Sequence, residues 1–188
     1  MKIAITGGIG SGKSYVCGIL TMHGIHIYDC DDGAKRVMHE SVPLISALKA
    51  LIGDDAYTAD GYPCQRVIAQ FLLRSESNRQ AINDIVHPAV ARDFELSGMD
   101  WLESAILFDA GFNKRTHFDF VVCVTAPLEV RISRIMQRDG ITREKALEWI
   151  NRQIPQEEVA RRSDYEIIND GNADVKKQIN ELLNKITK

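Results

Sequence analysis

A chain of 188 residues, 45% hydrophobic and 26% charged, has the size and apolar content of one compact globular domain. A formal net charge of -3 offers no basic surface to neutralise nucleic-acid phosphates or anionic lipid, which argues against a polymer substrate and against membrane association. Cys17, Cys30, Cys64 and Cys123 lie far apart with no C-x-x-C pair, so neither a zinc knuckle nor a thioredoxin-like motif is written here, and a reduced, cytoplasmic setting is expected.

In chain order, short β-type runs alternate with helical patterns, which predicts an α/β fold with a parallel sheet covered on both faces. The predicted strands are residues 2–6, 25–28, 104–108, 120–124 and 165–168, several of them nearly all apolar, as strands buried on both faces should be. The first helix is expected to follow the glycine-rich segment after residue 6, to turn Val16, Ile19 and Leu20 inward and to stop at Gly24. Residues 54–98 show helical pattern without a convincing strand and read as a helical insert. Residues 127–163 form a second helical, charge-rich stretch. The last helix is predicted to carry Val175, Ile179, Leu182 and Ile186 on one face. With no repeat or linker, residues 1–188 are expected to form a single domain. The apolar runs near residues 105–108 and 120–124 are too short to span a bilayer, and no export or membrane-targeting segment is expected.

The strongest chemical signal is Gly7-Gly8-Ile9-Gly10-Ser11-Gly12-Lys13-Ser14, a full match to G-x-x-x-x-G-K-[ST] placed after a strand and before a helix. Glycines let the backbone curl so that successive N–H groups face phosphate oxygens, and the helix N-terminus adds partial positive charge. ATP is therefore expected to lie against Gly8, Ile9, Gly10, Ser11, Gly12, Lys13, Ser14 and Tyr15. Lys13 is expected to reach the β- and γ-phosphates, and Ser14 to supply a hydroxyl to Mg²⁺. The implied architecture is a P-loop, Rossmann-like three-layer α/β/α fold with about five parallel strands.

A phosphate loop alone does not name the acceptor. Asp29 and Asp31 fall where the second strand is predicted to end, and ligands in open parallel sheets gather outside the carboxyl ends of the strands. Either carboxylate could act as the base for an acceptor hydroxyl, while Asp32 is assigned first to capping the helix that follows. His87 before Pro88 reads equally as a helix start or a substrate contact. Arg131, Arg134 and Arg138 share a helical face, for which a solvated surface beside a core stripe is the plain alternative to phosphate contact. Asp109 could orient Mg²⁺ through water or be an ordinary loop acid.

The ordered set of motifs resembles the dephospho-CoA kinase family. The phosphate loop is followed by D-x-D-x-x-A-[KR] at Asp29, by Ile85-Val86-His87-Pro88, and by the apolar run Ala105-Ile106-Leu107-Phe108 with its closing acid Asp109. A lid-like segment with Arg138 comes next, then Ser163-Asp164-Tyr165-Glu166-Ile167-Ile168-Asn169-Asp170-Gly171. The resemblance covers essentially the whole chain. It implies transfer of the ATP γ-phosphoryl group to the 3′-hydroxyl of dephospho-CoA, with Asp31 as general base, Arg138 as a lid arginine on phosphate, and Asn169 and Gly171 beside the adenine of ATP. It also implies an acceptor-binding role for residues 54–98 and for Asp29 and His87, a lid over residues 127–163, and a monomer or weak homo-oligomer with no nucleic-acid partner. Against the family pattern, Tyr15 replaces a usual Thr, Asp109 shortens a usual Glu, and Gly61-Tyr62-Pro63-Cys64-Gln65-Arg66 departs from G-x-L-[DN]-R-K.

Overall fold

The computed structural model describes residues 1–186. The chain gathers into two compact units, one made of Met1–Tyr28 with the chain from Met99 onward, the other of Asp29–Gly98.

The first unit is built on a parallel sheet. Its strands are β1 (Ile3–Thr6), β2 (Ile27–Asp29), β3 (Trp101–Glu103), β4 (Phe120–Thr125) and β5 (Tyr165–Ile168), in the order β2-β3-β1-β4-β5. Every residue of β1 is buried, because helices cover both faces of a parallel sheet. The pairings of Ile3 with Trp101 and Phe120, and of Thr125 with Ile168, bring the carboxyl ends of the strands to one edge. Helix α1 (Lys13–Met22) turns Val16, Ile19 and Leu20 into the core, as their spacing predicts. It closes in a Schellman arrangement: Gly24, at φ 82°, donates to Thr21 O and Ile25 to Leu20 O. Those two bonds hold residue 25 in the helix terminus, which is why β2 starts at Ile27 rather than at residue 25. Helix α10 (Val175–Ile186) adds Val175, Ile179 and Leu182 to the same core as Ile3, Ile5, Val122 and Val124.

One strand differs from expectation. The run at 104–108 is not extended; β3 is Trp101–Glu103 instead. Ser104 N–H makes one more ladder bond to Ile5 O, and then the Ser104 hydroxyl accepts Ile106 N–H and the chain curls. Ala110 donates to Ile106 O and Phe112 to Leu107 O, so the apolar side chains, with Leu107 fully buried, pack as a helical turn. A short apolar run does not by itself separate a buried strand from a buried helical turn, and tertiary packing decided this one. The short helix α6 (Phe112–Arg115) follows.

In the second half of this unit lie α7 (Leu128–Asp139), α8 (Arg143–Asn151) and α9 (Gln156–Arg161), within the stretch expected to be helical. Ile132 and Ile135 of α7 meet Ala146 and Ile150 of α8 in a small core of their own.

The second unit is helical and wider than the predicted insert at 54–98. It contains α2 (Cys30–Glu40), α3 (Val42–Ile52), a 3-10 turn at Asp54–Ala56, α4 (Gln65–Arg74) and α5 (Glu76–Ser97), with α2, α3 and α4 packed on α5. Residues 29–53 belong to it because α2 and α3 bury Val37, Leu44 and Leu48 there. Asp29 caps α2, its Oδ1 accepting the N–H groups of Asp31 at 2.8 Å and Asp32 at 3.1 Å. The cap is therefore Asp29 and not Asp32, which instead forms an exposed pair with Lys35 at 2.7 Å. Pro88 lies inside α5, so His87 neither starts nor caps a helix but stands in the middle of a long one.

Candidate active site

Residues 7–14 join β1 to α1. Gly12, at φ 94°, starts the helix in the left-handed region, and a Cβ there would overlap Asn169 Nδ2. At Gly8 a Cβ would overlap the guanidinium of Arg131. Both positions lack a side chain because another residue of the loop's support occupies that space.

The support comes from behind. Arg131, only 5% exposed, donates from Nε to Ile9 O at 2.9 Å, and Gln153 Oε1 accepts Ile9 N–H at 2.8 Å. Arg134 donates to Ser11 O at 3.2 Å and to Asn169 Oδ1 at 3.3 Å, while Asn169 Nδ2 donates to the same Ser11 carbonyl at 2.9 Å. A trans peptide points its N–H opposite to its C=O. Tying the carbonyls of Ile9 and Ser11 to outer donors therefore turns the amides of Gly10 and Gly12 toward the inside of the loop. The amides of Lys13 and Ser14 open α1 ahead of its first backbone bond, from Tyr15 N–H to Gly12 O, so the loop presents a concave set of donors suited to phosphate.

Burial pulls the Arg131 pKa below the usual guanidinium value, with the Glu157 carboxylate opposing that fall. Arg131→Ala would leave the Ile9 carbonyl without its buried donor, a loss of about 1–3 kcal/mol. The expected result is nucleotide binding weakened by about tenfold and a lower thermal midpoint, read by ATP titration and thermal melting.

Lys13 Nζ lies 3.6 Å from a carboxylate oxygen of Glu103, with both side chains largely buried. Glu103 ends β3, so the sheet's carboxyl edge carries an acid beside the phosphate-loop lysine. Sequence alone does not reveal it, because the apolar run places the strand at 104–108, three residues too late, with Asp109 as its closing acid. Asp109 instead accepts Ile154 N–H at 2.9 Å and pins the loop between α8 and α9.

Gly12, Tyr15, Arg134, Asn169 and Gly171 line one cavity of about 560 Å³ next to the start of α10. Of the residues expected to hold nucleotide, the structure thus gathers Gly12, Tyr15, Asn169 and Gly171 around one space beside the phosphate loop. Ser14 stands exposed in the first turn of α1. Of the three arginines sharing a face of α7, Arg131 and Arg134 reach the loop, whereas Arg138 is exposed at the end of the helix and pairs with Asp139 at 2.8 Å. Their i, i+3 spacing with the buried stripe was the available signal. Cys123, buried on β4, has its thiol pushed up to about 12 by desolvation and is not a nucleophile.

The other unit holds Asp29, Asp31 and His87. Asp31 is exposed in the first turn of α2, its backbone N–H bonded to the Asp29 cap. His87 is half-buried in α5.

A parallel five-stranded sheet with flanking helices and a braced glycine loop between its central strand and first helix defines a P-loop kinase fold. The family model for dephospho-CoA kinase matches residues 1–174. The chain is 35% identical over 190 residues to a dephospho-CoA kinase of Bacteroides fragilis, covering 97% of this chain and 91% of that one. It is 37% identical over 176 residues to one of Porphyromonas gingivalis, covering 90% and 86%. The crystal structure of a Thermus thermophilus protein superimposes with a TM-score of 0.83 at 30% identity, over 100% of this chain and 98% of that one. The chain belongs to the dephospho-CoA kinase family, whose members use ATP in the final step of coenzyme A biosynthesis.

Proposed function

We propose that this protein transfers the γ-phosphoryl group of ATP to the 3′-hydroxyl of dephospho-CoA, giving coenzyme A and ADP. Family membership over nearly the full chain, together with a phosphate loop braced by Arg131, Arg134 and Asn169, carries this reading. In the mechanism, the inward amides of the loop and Lys13 hold the β- and γ-phosphates and balance the charge that spreads over the transferring group. Gly8, Ile9, Gly10, Ser11, Gly12, Ser14 and Tyr15 form the rest of the phosphate cradle. Asn169 and Gly171, lining the adjoining cavity, take the adenine. Asp31 accepts the proton of the acceptor hydroxyl as it attacks, and Asp29 keeps Asp31 in place through the cap on α2.

Within the lid expected at residues 127–163, Arg131, Arg134 and Gln153 are tied to the phosphate loop and stay with it, so the moving part excludes them, and Arg138 at the exposed end of α7 acts as its cation. Its exposed pair with Asp139 is of the kind that exchanges partners at little cost. Closure over the phosphates would exclude water and supply charge late in the reaction. Residues 54–98, with His87, serve the acceptor.

The donor set suits Mg²⁺, a hard cation that takes one or two protein oxygens and keeps several waters. Ser14, with its hydroxyl in the first turn of α1, and Glu103, whose carboxylate neighbours Lys13, would hold it. When bound, the ion neutralises negative charge on the terminal phosphates. The chain carries the loop, the base and the lid arginine together, so a monomer or weak homo-oligomer suffices. Cys17, Cys30, Cys64 and Cys123, as reduced thiols, suit the cytoplasm. Among the described residues, no helix is long and apolar enough to cross a membrane.

The deciding experiment measures ADP release with dephospho-CoA, AMP, shikimate, gluconate and no acceptor. Dephospho-CoA should be turned over far faster than the rest, with slow hydrolysis in its absence, because closure is productive only on both substrates. Brisk hydrolysis without an acceptor, or a clear preference for another acceptor, would overturn the reading.

A further inference from the structure

We propose that the ring of Tyr15 is the platform on which the adenine of ATP stacks, a refinement that rests on the reading of the chain as an ATP-dependent dephospho-CoA kinase. Tyr15 stands in the first turn of α1, one residue beyond the phosphate loop, with its N–H bonded to Gly12 O at 3.1 Å. It lines the cavity of about 560 Å³ together with Gly12, Arg134 and the chain that runs from Asn169 into α10. That volume lies within the range of about 300–1,000 Å³ usual for small-molecule pockets.

The sheet order selects which end of the nucleotide this cavity receives. Lys13 meets Glu103 at the end of β3, on one side of β1, and Lys13 is the group that takes the terminal phosphates. Asn169 and Gly171 follow β5, two strands from β1 on its other side. The triphosphate therefore runs across the loop from the Lys13 side, and the nucleoside leaves it toward α10, past the first turn of α1.

The chemistry of the lining assigns the base to Tyr15. A base is held either by hydrogen bonds to its edge or by stacking on its face. The polar side chains Asn169 and Asp174 are already bonded within the protein: Asn169 donates to Ser11 O and accepts from Arg134, and Asp174 Oδ1 accepts Lys177 N–H. The N–H groups of Asn172 and Ala173 are likewise taken, by the Asp170 carboxylate. Stacking is what the lining has to offer. Among the described residues that line the cavity, Tyr15 alone is aromatic, and it is 54% exposed because α1 turns Val16, Ile19 and Leu20 into the core instead. A phenol ring presents a flat apolar face suited to offset stacking on a purine, and one such stack strengthens binding by about 5-fold to 150-fold. The Thr of the family pattern has no such face, so this contribution belongs to the present chain.

Tyr15→Ala should raise the KM for ATP by about tenfold, with kcat within about twofold and the KM for dephospho-CoA unchanged. Tyr15→Phe, which keeps the ring and loses the hydroxyl, should restore the KM for ATP to within about twofold of the unaltered protein's. Competition against ATP separates base from phosphate. ADP should compete about tenfold more weakly in Tyr15→Ala, whereas inorganic tripolyphosphate, which has no base, should compete equally in both proteins. Thermal melting should show both variants folded, since the ring is exposed. The proposal fails if the KM for ATP does not rise in Tyr15→Ala, or if Tyr15→Phe is impaired as much, which would assign the contact to the hydroxyl. It fails equally if competition by tripolyphosphate weakens alongside that by ADP, which would place Tyr15 on the phosphates. An unaltered protein that does not phosphorylate dephospho-CoA would instead overturn the family reading, and ATP titration of the two variants would still test Tyr15, so the two failures are distinguishable.

Discussion

Lys13→Ala should lower kcat/KM for phosphoryl transfer by at least about a hundredfold to a thousandfold, the range seen when one donor aimed at developing charge is removed. In the structure Lys13 is held at the carboxyl edge of the sheet by Glu103, 3.6 Å away, and both side chains are largely buried. The substitution removes the one phosphate-loop side chain able to place a full positive charge on the β- and γ-phosphates. Backbone donors remain, because the carbonyls of Ile9 and Ser11 stay tied to Arg131, Arg134 and Asn169. Nucleotide should therefore still bind weakly, with the thermal midpoint little changed. ADP release with dephospho-CoA, measured beside a melting curve, tests this directly. Near-normal turnover by a folded variant would remove the phosphate loop from the mechanism proposed above.

Asp31→Asn should lower kcat by about a hundredfold or more, with a modest change in KM, because Asn keeps the size of the side chain and can still hydrogen-bond but cannot take a proton from a hydroxyl. The capping geometry makes the comparison with its neighbours sharper. Asp29 accepts the N–H groups of Asp31 and Asp32, and Asn caps nearly as well as Asp, so Asp29→Asn should cost little. Asp32→Asn breaks only an exposed pair with Lys35 and should be nearly silent. The pH profile divides proton transfer from charge: loss of the acidic limb of the kcat profile in Asp31→Asn marks a base, whereas a uniform drop marks positioning. Retention of more than about a tenth of the wild-type kcat, or a larger loss in Asp29→Asn, would sink the assignment of Asp31.

Much of the chemistry is local in the chain and could be read there. Residues 7–14 needed only their own glycines, the lysine and the serine, set between an apolar run and a helical pattern, because the donors of a phosphate cradle come from consecutive backbone amides. The inward stripes of α1 and α10, the buried strands β1 and β4 and the edge strand β5 were legible for the same reason: period and apolarity are properties of neighbouring residues. Decisions between distant residues were not legible. That Arg131 is buried under Ile9, that Arg134 and Asn169 share the Ser11 carbonyl, and that Glu103 meets Lys13 all depend on contacts across wide gaps in the sequence. A helical arginine looks the same in sequence whether it faces solvent or a loop carbonyl. The cap on α2 fell to Asp29 rather than Asp32 because the chain leaves β2 at Asp29 in an extended conformation, which lets its carboxylate reach forward to the first free amides. Likewise, the apolar run at 104–108 became a turn once Ser104 had spent its last ladder bond on Ile5 and Leu107 found a buried place off the sheet. Local periodicity and motif chemistry are written residue by residue, whereas partner choice is settled only when packing brings remote groups together and leaves each buried polar atom a donor or acceptor to meet.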